Sequence, residues 1–564
     1  MFVTNNFQVR YSIKPNLYFE SKISVSRQKG GSDQFYSAEH SRLENEVDES
    51  RKGSYTARND ESSSHESTTT FNYSLARGNH LWHSNAAFNI ASTNDSYYSL
   101  VAEGFPFDRL DNLLFAAQYQ ANGRPTGDES TIRRIGYLYS GNYSYDNRFL
   151  ADLSIKRDGS SQFGSDKRFG TFWSAGLGWN LHNERFLKNI EDINRFKLRS
   201  SYGTTGSLNI PAYSSLTRYI YSVSSTYFNE LGADLNNLGN RMLTWQQVYK
   251  FNIGADIELF NHRLDLRLDW YRSITRDAVT QLTLAPSTGF SQFAENLGKV
   301  ENVGFEYNIR YKLIDDRKRG NMWSVFVNGA TNKDRLLALA NRLKATNETL
   351  DKNNERQVVP NILLHEGMSQ HAIYVVPSVG VDPTTGSEIF RTKDGQESFT
   401  WDASDKIAYG IARPTWNGNF GSNLLYRGIE IGVILNYQFG GQLYNQTLVN
   451  NVQDVNPRYN VDRRAYDLGW VHPGDLSQFT RIGLNTTPTR ATSRFVQDNN
   501  LLTLSTLSIG YNFYKSPFVK RLGMRSFQLS AVTNDLFQWS SIDIERGTSN
   551  PFYRSFALSL RLGL

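Results

Sequence analysis

Nine histidines and 55 acidic residues are the chain's candidate acids, bases and metal ligands, and it has no cysteine at all. The absence of thiols removes disulfides, thiolate metal sites and cysteine nucleophiles together. His80 and His83, in "HLWH", stand three residues apart, which in a strand puts them on opposite faces, so they form no joint chelate. His365, His371 and His472 lie in no H-E-x-x-H motif, and neither a G-x-x-x-x-G-K-[ST] phosphate loop nor a G-x-S-x-G elbow is present. Asp265 and Asp269 share a strand face, but nothing indicates the separation or burial that acid/base catalysis needs. The oxygen-rich "VGVDPTTGSEIF" (379–390) lacks EF-hand spacing and reads as a turn between two short strands, with Asp-Pro and Thr-Gly as the turn chemistry. The expectation is a protein that is not an enzyme and needs no cofactor or metal.

The elements that carry these residues are strands. "FNIGADIEL" (251–259) alternates apolar and polar side chains, and after an Asn261-His262 turn "LDLRLDW" (264–270) repeats the pattern. Two such runs around a tight turn make a hairpin. The signature recurs in "WSAGLGWNL" (173–181), "FEYNIRYKL" (305–313), "IEIGVILNYQF" (429–439), "FQLSA" (527–531) and "YRSFALSLRLGL" (553–564). Strands of about ten residues match a tilted bilayer crossing. Connections are of two kinds: tight turns at Asp146-Asn147, Asn261-His262 and Arg427-Gly428, and long irregular stretches near 29–66, 332–385 and 440–500. The run "DRLLALANRLKATNETL" (334–350) has helical spacing and good helix formers, and predicts a short loop helix.

Charge and hydropathy narrow the class. The formal charge of +6 arises from 61 basic and 55 acidic residues that are interspersed, so no dense basic face indicates nucleic acid. Nothing approaches the roughly 18 consecutive apolar residues of a membrane helix. Strands can cross a bilayer only when closed, because hydrocarbon offers no water to unpaired backbone groups. The predicted fold class is therefore all-β, an antiparallel transmembrane β-barrel with short periplasmic turns and long extracellular loops. Leu264, Leu266, Leu268, Ile429, Ile431, Val433, Phe556, Leu558, Leu560 and Leu562 are the expected lipid-facing positions. Asp265, Arg267, Asp269, Glu306, Asn308 and Arg310 are the expected lumen-facing ones. A one-residue slip would turn Asp265, Arg267 and Asp269 to lipid, at about 2–4 kcal/mol for a midplane basic residue alone.

A series of motifs then points to a family. "RDGSSQFG" (157–164), "GTFWSAGLGWNLHNERFL" (170–187), "FKLRSSYGTTGS" (196–207), "ENLGKVENVGFEYNI" (295–309), "NVDRRAYDLGWVHPGD" (460–475), "SRFVQDNNLLTLSTLSIGYNF" (493–513) and "NDLFQWS" (534–540) follow one another. In type and order they resemble the SusC/RagA-type TonB-linked outer-membrane transporters, from about residue 130 to the end. The resemblance implies a 22-stranded barrel with a plug, located in the outer membrane and importing oligosaccharides, glycans or peptides. It also implies a SusD-like surface lipoprotein and the TonB complex as partners. Roughly 14 to 18 alternating segments are countable, so residues 1–564 are expected to be a partial barrel. Signal peptide, carboxypeptidase-like domain and plug are missing from it, and the TonB contact lies in that missing N-terminal part. On this expectation the chain is unable to transport alone. Two other readings stay open at this stage: an outer-membrane barrel enzyme, and a soluble β-rich surface adhesin.

Overall fold

Period-2 patterning becomes antiparallel pairing in the computed structural model. It describes residues 1–44, 46–120, 123–207, 210–227, 230–283, 292–296, 298–316, 318–339, 358–360, 363–483, 488–513, 516–543 and 554–563. Among the described residues the main sheet counts 18 strands, and its described ladders are antiparallel. The chain divides into two compact units, one of Met1–Gly176, Gly203–Val248 and Val279–Asn296, the other of Leu177–Tyr202, Tyr249–Ala278 and Leu297–Leu564.

In the first unit the strands Phe2–Lys14, Leu17–Tyr36, Ser54–Arg77, His80–Glu103, Thr126–Tyr145 and Phe149–Ser160 pair in succession. Turns at one end are short. Asp146 and Asn147 both take positive φ (54° and 52°), which a tight hairpin requires and which Asp and Asn tolerate. Ser54–Arg77 and His80–Glu103 are each 24 residues long, roughly 80 Å at ~3.3 Å per residue. Only about 10 residues of each are needed to cross a bilayer. The expected irregular stretch 29–66 is thus mostly strand: Leu17–Tyr36 and Ser54–Arg77 pair along their whole length, leaving only 37–53 as loop. "NDESSSHESTTT" (59–70) carries no large apolar side chain on either face. Alternation vanishes where both faces are wet, while the backbone ladder continues regardless.

In the second unit Leu264–Arg276, Gly298–Asp316, Asn321–Leu339, Trp416–Tyr426, Ile429–Phe439, Leu501–Asn512, Ser526–Ser540 and Ser555–Gly563 pair in succession. The Phe260-Asn261-His262 turn, all at positive φ, precedes the first of them. The expected helix at 334–350 is not formed in its described part, because residues 334–339 continue the Asn321–Leu339 strand against 298–302. Pairing over a full ladder outweighs a local helical preference of a few tenths of a kcal/mol per residue. Residues 340–350 lie outside the described residues.

Directly opposed residues of an antiparallel ladder share a face, so the register assigns side chains to sides. Leu264, Leu266 and Leu268 stand opposite Tyr311, Ile309 and Tyr307, while Asp265, Arg267 and Asp269 stand opposite Arg310, Asn308 and Glu306. On the apolar side, Tyr307 and Tyr437 reach towards each other over two glycines, Gly329 and Gly418, and their hydroxyls meet at 2.5 Å. A Cβ at Gly418 would collide with the Asn328 carbonyl, Gly329 and the Tyr437 hydroxyl. A Cβ at Gly30 would meet nothing within 4 Å. Gly418→Ala is therefore expected to destabilise the protein by about 1–3 kcal/mol, and Gly30→Ala to stay within about 0.5 kcal/mol. Urea unfolding in detergent micelles compares the two.

Candidate functional site

Three groups of side chains are candidates, each within one unit. The first is a tray on the long strands. Register places Gln28, Ser62, Asp95 and Ser130 in one cross-strand row, and Gly30, Asp60, Tyr97 and Asp128 in the next row on the same face. Together with Arg58 they line a cavity of about 490 Å³. Arg58 is fixed from two directions, donating to Asp60 at 2.7 and 3.0 Å and lying 4.1 Å from the Tyr97 ring centroid. Ser62 Oγ donates to Asp95 at 2.6 Å. The result is a floor of carboxylates, hydroxyls and one stacked aromatic ring, a combination that binds polyhydroxylated or peptide-like groups by hydrogen bonding and stacking.

The same face continues from the tray towards the short turns. Glu66 and Thr68 accept from Asn89 Nδ2 at 3.0 and 2.8 Å, and Asn72 Oδ1 accepts from Asn85 Nδ2 at 2.7 Å. On the opposite face of these strands, Phe71, Leu75, Trp82, Phe88 and Ile90 are exposed.

A second group is the charged set of the second unit. Arg199 Nη2 donates to Asp269 at 2.5 Å and its Nε to Asp256 at 3.3 Å; Arg267 approaches Asp256 at 3.4 Å; Arg195 approaches Glu258 at 3.4 Å. Asp269 is buried. Of the expected lumen-facing residues, Arg267 and Asp269 join this network. Asn308 begins an amide row instead, Asn308, Asn328, Asn419 and Asn436 lying side by side on four strands, with Asn328 Nδ2 donating to Asn419 at 2.9 Å. Asp265, Glu306 and Arg310 are exposed on the same face. Arg195, Arg199 and Glu258 were missed, although "RFKLRSS" (195–201) carries Arg195, Lys197 and Arg199 at alternate positions.

The expected lipid-facing residues all occupy the other face. Leu264, Leu266, Leu268, Ile431 and Val433 are half-buried against strand neighbours, Ile429 is exposed, and Phe556, Leu558, Leu560 and Leu562 are 74%, 81%, 58% and 53% exposed. Among the described residues no sandwich interior covers these last four.

Loops of the second unit form the third group, a small core of their own. Ile373, Val375, Tyr444, Val449, Val452, Val455, Ala465, Phe479, Ala491 and Phe495 pack together. Arg494, only 13% exposed, donates Nη2 to Glu388 at 2.9 Å and Nη1 to Gln453 at 3.0 Å. Asp382 closes the 379–390 turn by accepting from the Thr385 hydroxyl and the amides of Thr384 and Thr385, which holds its carboxyl below the usual range. Its carboxylate oxygens are thereby occupied in a turn, as its sequence indicates. Asp462 caps the Arg463–Asp467 helix and, bonded by the Arg464 side chain and amide, has a pKa held down to about 2. Burial pushes the Tyr444 hydroxyl up. His83 bonds Ser74 and His80 bonds Tyr143, on opposite faces of one strand. Among the described residues no group of three or more His, Asp or Glu is placed to hold a metal ion.

With this geometry in hand, likeness to known proteins is informative. A family model described as "TonB dependent receptor-like, beta-barrel" matches residues 2–485. TonB-dependent receptor P39 of Formosa agariphila is 27% identical over 500 residues, 81% of this chain and 47% of that protein. TonB-dependent receptor SusC of Bacteroides thetaiotaomicron is 24% identical over 76% of this chain and 43% of its own length. The chain thus spans about half the length of the curated relatives it matches. Among solved structures, the RagAB peptide transporter superposes with a TM-score of 0.81 at 18% identity, covering 96% of this chain and 59% of that one.

The loop core yields a test of its own. Removing one partner of a buried ion pair strands the other charge, at about 3–5 kcal/mol. Glu388→Gln is expected to speed hydrogen exchange of the 449–453 amides by roughly 150- to 4,000-fold while the 429–439 strand keeps its protection.

Proposed function

The chain belongs to the TonB-dependent receptor-like β-barrel family, and from that premise we propose that it forms the wall of an outer-membrane importer of large nutrients. Its strands cross the outer membrane, with Leu264, Leu266, Leu268, Ile431, Leu558 and Leu560 toward hydrocarbon and Asp265, Arg267, Asp269, Glu306, Asn308 and Arg310 toward an aqueous lumen. Oligosaccharides, glycans or peptides enter from the long-loop side. A SusD-like lipoprotein presents them there, and the TonB complex supplies the energy. Covalent chemistry on the cargo is left to other proteins.

One observation carries this reading. One face of the first unit carries the Asp60/Tyr97/Asp95 tray, then Glu66, Thr68 and Asn89, then Asn72 and Asn85 near the short turns. A cargo rich in hydroxyls or amides can exchange hydrogen bonds along such a face without being held by any one of them. The RagAB neighbour, described as a peptide transporter, favours peptides.

In cells that make the protein from its native locus, uptake of a fluorescent oligosaccharide or peptide pool is expected to collapse on adding a protonophore. Asp95→Asn combined with Tyr97→Ala is expected to lower uptake roughly 30-fold, since each lost stacking or charge-assisted contact costs about 1 kcal/mol. Its abundance in the outer membrane should not change. Uptake indifferent to the protonophore would contradict the proposal.

A further inference from the structure

At the short-turn end of the second unit lies a cavity that the transport reading leaves without a role. It measures about 670 Å³ and is lined by Arg319, Asn321, Arg427, Tyr511, Asn512, Phe513 and Ser516. We propose that it is a binding site for the phosphate headgroup of an anionic phospholipid of the adjacent leaflet. The inference rests on the membrane-spanning reading above, which makes this end the periplasmic one.

The two arginines are held at the rim by the backbone. Arg427 and Gly428 form the turn after Trp416–Tyr426 with φ of 50° and 92°, and the Arg427 amide donates to Asn321 Oδ1 at 3.0 Å. Arg319 lies in the preceding turn with its side chain 82% exposed, 3.8 Å from the Asp316 carboxylate. That long pairing leaves most of its donors directed at solvent. The Arg427 guanidinium lies 5.3 Å from the Tyr426 ring centroid, and no described carboxylate lies within ion-pair distance of it. Two cations facing one cavity attract an anion, and a guanidinium suits phosphate oxygens because it donates in pairs.

Below the cations the wall is apolar and faces the proposed hydrocarbon side. Tyr511 pairs with Ile429 on one side and Leu529 on the other, and Leu529 with Leu560; Ile509 follows on the same face. Ile429, Ile509, Leu529 and Leu560 are 42%, 52%, 44% and 58% exposed. Phe513 meets Tyr511 edge-on at 4.5 Å and Phe527 at 5.1 Å, so the aromatic group sits directly at the cavity edge. A headgroup at Arg319 and Arg427 thus leaves its acyl chains along a ready apolar row. Aromatic and basic residues at this level are what an interface favours. Inorganic phosphate would use the cations and leave the row uncovered, and it is for that reason the weaker fit.

Native mass spectrometry of the detergent-purified protein tests the assignment with three probes: dioleoylphosphatidylglycerol, dioleoylphosphatidylcholine and glycerol 3-phosphate. The expected result is about tenfold higher occupancy by phosphatidylglycerol than by phosphatidylcholine, with no lasting adduct of glycerol 3-phosphate. Arg319→Gln with Arg427→Gln should bring phosphatidylglycerol down to the phosphatidylcholine level, and the double Lys variant should keep most of the preference. Equal occupancy by the two lipids in the unaltered protein would overturn the site without recourse to any variant, as would a Gln pair that retains the preference. Glycerol 3-phosphate held as firmly as the lipid would make it a free-phosphate site instead. Alkaline carbonate washing of membranes separates the two levels. Protein that stays embedded yet shows no lipid preference sinks this inference alone, whereas protein that washes off sinks the membrane reading first.

Discussion

Parity along paired strands is the constraint on which everything else in this molecule rests. Residues opposed across an antiparallel ladder share a side, so one register choice commits Leu264, Ile309, Val327, Phe420 and Leu435 to one face and Arg267, Asn308, Asn328, Asn419 and Asn436 to the other. The choice is strongly specified, because a slip would move guanidinium and carboxylate groups into the apolar layer. In water the arrangement would be unfavourable. Phe556, Leu558, Leu560 and Leu562 are mostly exposed, and leaving each such side chain in contact with water forgoes roughly 1.5–3 kcal/mol. Hydrocarbon removes that penalty, and the paired backbone satisfies its own polar groups, which hydrocarbon cannot do.

The polar face then acquires its character from what parity brings together. Charges in the second unit neutralise one another in the Arg199, Asp256, Arg267 and Asp269 set, and the neighbouring amide row adds donors and acceptors without net charge. In the first unit the strands run well past the length a bilayer needs, so the tray around Arg58, Asp60 and Tyr97 lies where both faces are polar. Stability and function are separated along the strand: apolar residues near the short turns fix the register, and the far half is free to carry contacts. Within the second unit, a loop core around Val375, Val449 and Phe495 with its buried Arg494–Glu388 pair gives the connections a structure of their own.

Legibility in the sequence follows the same division. Where one face is apolar, period 2 is plain, and the segments 251–259, 264–270, 305–313 and 429–439 read as the strands they form. Where both faces are wet, as in "NDESSSHESTTT", the signal disappears and serine-rich strand passes for loop. At 334–339 helical spacing misleads, because the ladder to 298–302 decides the outcome. Site residues obey a similar rule. Asp269 stands out within its own strand, but its partner Arg199 is 70 positions away, and Asp60, Tyr97 and Asp128 become one row only through register. Arg494 and Glu388, 106 positions apart, have no local signal at all.

Since the chain has no cysteine, a single thiol introduced at Leu266 or at Arg267 reports its own face without background. In protein embedded in native outer membranes, labelling by a membrane-impermeant maleimide should be fast at Arg267→Cys. It should be slow at Leu266→Cys, whose spin-labelled form should instead be relaxed by oxygen dissolved in the lipid. If Leu266→Cys reacts with the aqueous reagent while Arg267→Cys is the position that senses lipid, the assignment of faces is reversed and the account of an importer wall fails with it.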